Sequence, residues 1–131
     1  MMKLANAFSI SMLSFPYGAL ARTAATFTLV SLREVSERAR REGIESYVGH
    51  ADTARLLSNL LGVEVPVNRA SLALNATDEL VVAQYRGPRL PDGATELPAG
   101  ATIEFYQVHV GGSWGWAAPA GIGATLWGGP Q

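Results

Sequence analysis

Hydrophobic positions along the chain change period several times, and each change marks an element. In residues 3–12, Leu4, Phe8, Ile10 and Met12 share one parity with small residues between them, which predicts a first strand. Phe15-Pro16-Tyr17-Gly18 reads as a loop, and the β-rich run Ala25-Thr-Phe-Thr-Leu-Val30 as a second strand. Helical spacing then takes over. Ser31-Leu-Arg-Glu34 has the form of a capping box, with Leu32, Val35 and Ala39 as the stripe to be buried and Gly43 as the stop. Glu34–Arg38 and Glu37–Arg41 are spaced as i,i+4 ion pairs on the wet face.

Ile44–Val48 is a short extended link. A second helix is expected from about Ala51 to Leu61, with Ala54, Leu57 and Leu61 facing the core, Leu56 and Leu60 beside them, and Gly62 closing it. Val63–Val67 is extended, and Pro66 confines it to an edge or a connector. Residues 69–75 alternate like a half-buried strand, and Asn75–Asp78 makes a turn. The unbroken apolar run Leu80-Val-Val-Ala83 marks 79–86 as a central strand. Gly87–Gly100 is a proline- and glycine-rich loop, and 102–110 is a last strand. The order ββαβα followed by strands predicts an α+β fold: a mixed β-sheet with helices packed on one face.

Length and composition narrow the class. The 131 residues, 48% of them hydrophobic and 16% charged, suit one folded domain with a modest core, to which a second copy would add useful burial. That domain is expected over residues 1–110. Residues 111–131 form an uncharged, glycine-rich tail with Trp114, Trp116 and Trp127. The chain has no cysteine, which excludes disulfides, thiol nucleophiles and Cys-based zinc sites, and two histidines are too few for an all-histidine metal site. No metal and no cofactor is expected. Net charge is −1, so no global basic field exists to draw in long nucleic acid, and a phosphate ligand must be met by a local cluster. The apolar N-terminal stretch is interrupted by Asn6, Ser9, Ser11 and Ser14, which argues against a secretory signal, and no run is long enough to cross a membrane as a helix. A cytoplasmic location is expected.

The candidate chemistry sits at element ends. His50 stands at the mouth of the second helix, where unpaired N–H groups attract anions. An imidazole beside a bound phosphate is a proton donor near neutral pH, although a histidine at a helix start is more often decoration. Arg69, Arg86 and Arg89 fall at strand ends; isolated arginines are usually solvated, but Arg86-Gly-Pro-Arg89 places two guanidiniums in one constrained loop. Asp92-Gly93 reads as a turn. Asn6 and Ser9 are short polar groups suited to a ribose, a base edge or a backbone group. No phosphate-cradling glycine loop, nucleophile elbow or paired metal-binding carboxylates appear.

Leu4-Ala-Asn-Ala-Phe-Ser-Ile-Ser-Met-Leu13, Val48-Gly-His-Ala-Asp-Thr-Ala-Arg-Leu-Leu57, Leu60-Leu-Gly-Val-Glu-Val-Pro-Val-Asn-Arg69 and Gln84 through Gly93 together resemble, in order and spacing, the viral type III anti-CRISPR ring nucleases. The resemblance covers roughly residues 3–110. It implies a homodimer that binds cyclic tetra-adenylate across its two-fold axis and cleaves it without metal. In that chemistry a ribose 2′-hydroxyl attacks the neighbouring phosphorus and leaves a 2′,3′-cyclic phosphate. By position, the resemblance makes His50 the general acid, assigns Arg69 and Arg89 to the ring's phosphates, and matches Asn6 and Ser9 to ligand-contacting positions. Arg86 is the weaker match of the two loop arginines. Asp92 stands where the family pattern has glutamate, so its orienting role is one methylene short. The expected partners are the cyclic nucleotide and a second copy of the chain, with no long nucleic acid and no membrane. Two alternatives stay open: a module that sequesters the ring without cutting it, and a structural or secreted protein.

Overall fold

The computed structural model describes residues 1–15, 22–75 and 78–110. Strands β1 (Met2–Ala5), β2 (Ala25–Val30), β3 (Ile44–Tyr47), β4 (Glu79–Arg86) and β5 (Thr102–Val110) form one sheet in the order β2-β5-β4-β1-β3. β1 pairs in parallel with both β3 and β4, whereas β5 runs antiparallel to β4 and β2. Helices α1 (Leu32–Glu42) and α2 (Ala51–Leu61) pack on one face. The α+β class, the mixed sheet and the one-sided helices are as the hydrophobic pattern predicts.

Strand alternation splits the interior into two cores. Met2, Leu4, Val81, Ala83 and Phe105 meet the helices through Val35, Ala39, Ala54, Leu57 and Leu61. On the other face Ala5, Leu80, Val82, Val108 and Val110 are covered by Leu72 and Leu74, with Phe8, Met12 and Leu13 against them. The unbroken apolar run of β4 is explained by this double burial, and β4 holds the middle place in the sheet.

Several local expectations need correction. The first strand is not 3–12 but Met2–Ala5, followed by a 3-10 turn at Ile10–Met12 that Ser9 caps by accepting from the Ser11 amide at 3.2 Å. The shared parity of Leu4, Phe8 and Met12 therefore does not give a shared face: Leu4 enters the helix-side core and the other two the opposite one. Ile44–Tyr47 is a paired edge strand, not a link. Residues 69–75 keep their buried alternation at Leu72 and Leu74 but join no ladder; they lie over the second core, with the Leu74 amide donating to Met12 O at 2.8 Å. Arg69 accordingly follows the isolated Val48–Val67 bridge instead of opening a strand.

The α1 capping box forms, and it redirects the ion pairs. Glu34 is drawn back to the Ser31 amide at 3.3 Å, so the pairs on the wet face are Arg33–Glu37 at 3.5 Å and Arg38–Glu42 at 3.1 Å, not Glu34–Arg38 and Glu37–Arg41. Leu32 is 41% exposed, and Ser36 takes the buried place, donating to Leu61 O of α2 at 2.7 Å. The expected loop over residues 15–18 lies largely, and the Gly/Trp tail wholly, outside the described residues.

Ser46 closes the β3 edge. Its buried hydroxyl donates to Pro66 O at 2.6 Å and accepts from the Val48 amide at 3.1 Å, while Asn68 donates to Ser46 O at 2.9 Å. Ser46→Ala leaves the Val48 amide and the Pro66 carbonyl without that partner and is expected to cost about 1–3 kcal/mol. Leu32→Ala, at an exposed position, is expected to stay within about 0.5 kcal/mol of wild type. Urea midpoints at constant slope measure both, and equal losses in the two variants would contradict this packing.

Candidate functional site

Parallel pairing puts the carboxyl ends of β1, β3 and β4 at one end of the sheet. Ala5 stands level with Tyr47 on one side and Val82 on the other. The chain leaving each strand there carries the candidate residues: Asn6 after β1, Gly49 and His50 after β3, and Arg86, Arg89 and Asp92 at and beyond the end of β4. The carboxyl edge of parallel strands is where open sheets place ligands, because loops and helix starts converge there.

α2 begins in that region. His50 is its N-cap, with extended backbone (φ −114, ψ 131), an exposed ring and no side-chain capping bond. The first-turn amides thus lack the partner a Ser or Asp cap supplies and keep their partial positive charge toward solvent. Arg69 reaches the same point from the connector after α2. Its Nε donates to Gly49 O at 2.9 Å, and its Cγ lies 3.4 Å from where a Cβ on residue 49 would stand. One nitrogen is thereby tied to the backbone next to His50, while the terminal nitrogens have no protein partner among the described residues. A guanidinium so held keeps its forked end for an oxyanion.

The Gly87–Gly100 loop docks on α2. The Gly93 amide donates to Asp52 Oδ1 at 3.1 Å, and Asn59 Nδ2 donates to Thr95 O at 2.6 Å. The Pro91–Ala94 turn, closed by Ala94 N to Pro91 O at 3.1 Å, therefore sits against the first turn of α2, and Asp92 with it. At the loop's base Gly87 adopts φ 152, and a Cβ there would stand 2.7 Å from the Ala101 Cβ, so only glycine fits. Arg89 and Asp92 are exposed and form no hydrogen bond or ion pair among the described residues.

Two candidates are differently engaged. Arg86 pairs with Glu104 across the β4–β5 ladder at 2.9 Å, so a phosphate there has to compete with a carboxylate. Ser9 is committed to its turn, with its hydroxyl 2.9 Å from that of Ser11. Asn6 is half-buried directly after Ala5. The structure thus brings His50, Arg69 and the Asp92 turn to one helix mouth, keeps Asn6 at the same sheet end, and holds Arg86 on β5. Sequence reading missed Asp52, Asn59 and Glu104. An acidic residue in the first turn of a helix is visible in sequence, but its partner lies forty-one positions away.

Among the described residues no cluster of metal-ligating side chains occurs and no helix is long and apolar enough to cross a membrane.

Fold and site define a single-sheet α+β protein in which the uncapped start of α2 lies at the carboxyl edge of the parallel strands. A family profile described as STIV B116-like matches residues 2–105, and the chain belongs to that family. B116 of Sulfolobus turreted icosahedral virus is a structural relative: TM-score 0.65, 27% identity, with 82% of this chain and 97% of that chain covered. Uncharacterized protein 26 of Sulfolobus islandicus filamentous virus (isolate Iceland/Hveragerdi) is 36% identical over 52 residues, which span 40% of this chain and 44% of the viral protein. The aligned stretch is thus under half the length of that relative.

The Arg86 guanidinium and the Tyr106 hydroxyl, which donates at 2.8 Å, hold the Glu104 carboxyl below the usual carboxylate range. A depressed carboxylate pKa means that the pairing is fully present above the ordinary value and is lost as pH falls through the lower one. In a carboxylate-resolved NMR titration, Glu104 is expected to titrate below the ordinary glutamate midpoint and to move back toward it in Arg86→Ala. An unchanged midpoint in the variant would contradict the pairing.

Proposed function

We propose that the protein is a metal-independent ring nuclease that binds and cleaves cyclic tetra-adenylate, shutting off type III CRISPR signalling. The observation that carries this reading is the Arg69–Gly49 bond, which seats a cation beside His50 at an uncapped helix mouth. Two sources of positive potential, the helix end and the guanidinium, meet there next to a titratable imidazole. A chain of net charge −1 has no global field for polyanions, so affinity for a small ring has to come from such local geometry. Family membership and the blocks resembling viral ring nucleases support the same reading.

The reaction asks little of the protein. A ribose 2′-oxygen attacks the adjacent phosphorus, its proton passes to solvent, and the bond from phosphorus to the 5′-oxygen breaks. His50 gives its proton to that leaving oxygen, so the products carry a 2′,3′-cyclic phosphate and a 5′-hydroxyl. Because nucleophile and electrophile belong to one substrate, holding them in line supplies much of the acceleration. Arg69 and Arg89 bind the phosphates and offset charge developing on the equatorial oxygens. In this reading Asn6 is a further ligand contact, Ser9 and Arg86 contact the ring only by giving up their bonds to Ser11 and Glu104, and Asp92 stands on the loop side of the site where it forms no bond among the described residues. A homodimer with the ring on its two-fold axis suits a ligand of repeated units, and it presents two such mouths to one ring. Action in the cytoplasm of a host cell follows from the substrate.

A second reading, capture of the ring without cleavage, draws on one feature. Asp92 is shorter than glutamate and makes no hydrogen bond to His50 among the described residues.

Labelled cyclic tetra-adenylate incubated with the protein in EDTA decides between them. Linear products ending in cyclic phosphate are expected, and His50→Ala is expected to lose about 10²–10⁴-fold in turnover while still binding. Tight binding without product would favour capture, and no binding at all would remove both readings. Arg69→Ala is expected to weaken binding itself by about tenfold or more, as loss of a charge-assisted contact does, in a titration with the same ligand.

A further inference from the structure

We infer that Asp52 is a positioning residue that holds the Gly87–Gly100 loop over the mouth of α2; its catalytic consequence rests on the ring-cleavage reading above. Asp52, Arg55 and Asn59 are spaced i, i+3 and i+7 and so line one side of α2, away from the buried Ala54, Leu57 and Leu61. That side meets the loop. Asp52 Oδ1 accepts from the Gly93 amide at 3.1 Å, and Asn59 holds Thr95 O at 2.6 Å about two turns further on.

The Gly93 contact depends on backbone shape. Gly93 has φ 76, in the left-handed region, within the turn that Ala94 N closes on Pro91 O. A Cβ at Gly93 would meet nothing within 4 Å, so glycine serves the turn's conformation and not its packing. Arg89 and Asp92 lie between the loop's sterically closed base at Gly87 and Ala101 and the Asn59–Thr95 bond. Within that span the Tyr85 hydroxyl of β4 donates to Pro88 O, and Asp52–Gly93 is the hydrogen bond that ties it to α2 among the described residues.

A carboxylate in the first turn beside an anion-binding mouth opposes the ligand electrostatically. Arg55 offsets that charge by donating to the same Oδ1 at 3.0 Å. The group thereby serves as an acceptor for the loop, two residues from His50, with its charge partly neutralised.

Two substitutions separate the acceptor role from the charge. Asp52→Asn keeps a side-chain oxygen for the Gly93 amide and removes the charge; Asp52→Ala removes both. In Asp52→Ala, kcat on cyclic tetra-adenylate is expected to fall by up to about 10²-fold, more than KM rises, because the loop residues lose their placement. Gly93 amide exchange is expected to quicken in the same variant. Asp52→Asn is expected to restore most of the rate and the slower exchange, with both variants folded by far-UV circular dichroism. The proposal is overturned if Asp52→Ala keeps wild-type turnover and Gly93 exchange, or if the two variants lose rate equally. Should the wild-type protein cut nothing, the ring-cleavage reading fails by itself, and the Gly93 exchange comparison still decides whether Asp52 holds the loop.

Discussion

Everything at the candidate site depends on one strand being clasped in parallel from both sides. β1 contributes only Met2–Ala5, yet Leu4 and Ala5 are buried and stand in register with β3 and β4 together. A one-residue slip in either pairing would send Leu4 to the face that Ala5 occupies. The same register decides which chain segments emerge side by side at the carboxyl edge. Asn6 and the Gly49–His50 approach emerge together because β1 and β3 end level at Ala5 and Tyr47, while β4 runs on past Val82 to Arg86 at the same end of the sheet.

The two sheet faces are finished by different means. α1 and α2 cover one, with Ser36 bonding across to Leu61 O so that the helices are joined by a polar contact inside an apolar layer. Irregular chain covers the other: the turn after β1 and the 69–75 segment bring Phe8, Met12, Leu72 and Leu74 onto it. That cover thins at β2, where Phe8 meets the Phe27 ring edge to face at 5.3 Å while Phe27 and Leu29 remain 51% and 62% exposed. At the opposite edge Ser46 and Asn68 close β3 with side-chain bonds.

The elements with strong local signals were legible in the sequence. The Ser31–Glu34 box, the Gly43 and Gly62 stops and the apolar run of β4 each carry their own physical cause and mark α1, α2 and β4, while the β-rich run 25–30 and residues 102–110 were read as the strands that β2 and β5 prove to be. The failures share another cause. Residues 69–75 bury Leu72 and Leu74 alternately without pairing to a strand, so period two there marked burial and not hydrogen bonding, and at 8–13 the 3-10 turn breaks the alternation and leaves Ile10 exposed. Leu32 and Ser36 exchanged roles because the stripe α1 buries is set by its contact with α2, which periodicity alone does not reveal. At the site, His50 at a helix start and the turn at Asp92 were readable locally. What joins them was not: Arg69 to Gly49, Asp52 to Gly93 and Arg86 to Glu104 each link residues far apart in the chain.

The crowded contact between Gly87 and Ala101 has an evolutionary corollary. Because the two chain ends of the segment meet at a point no side chain can occupy, the ladder between β4 and β5 is sealed off from whatever the intervening residues do. Insertions and deletions between those two positions would alter reach and chemistry above α2 while leaving strand alignment untouched. Homologues of this fold are thus free to diversify the segment above α2 by changing its length, with the narrow neck beneath it held constant.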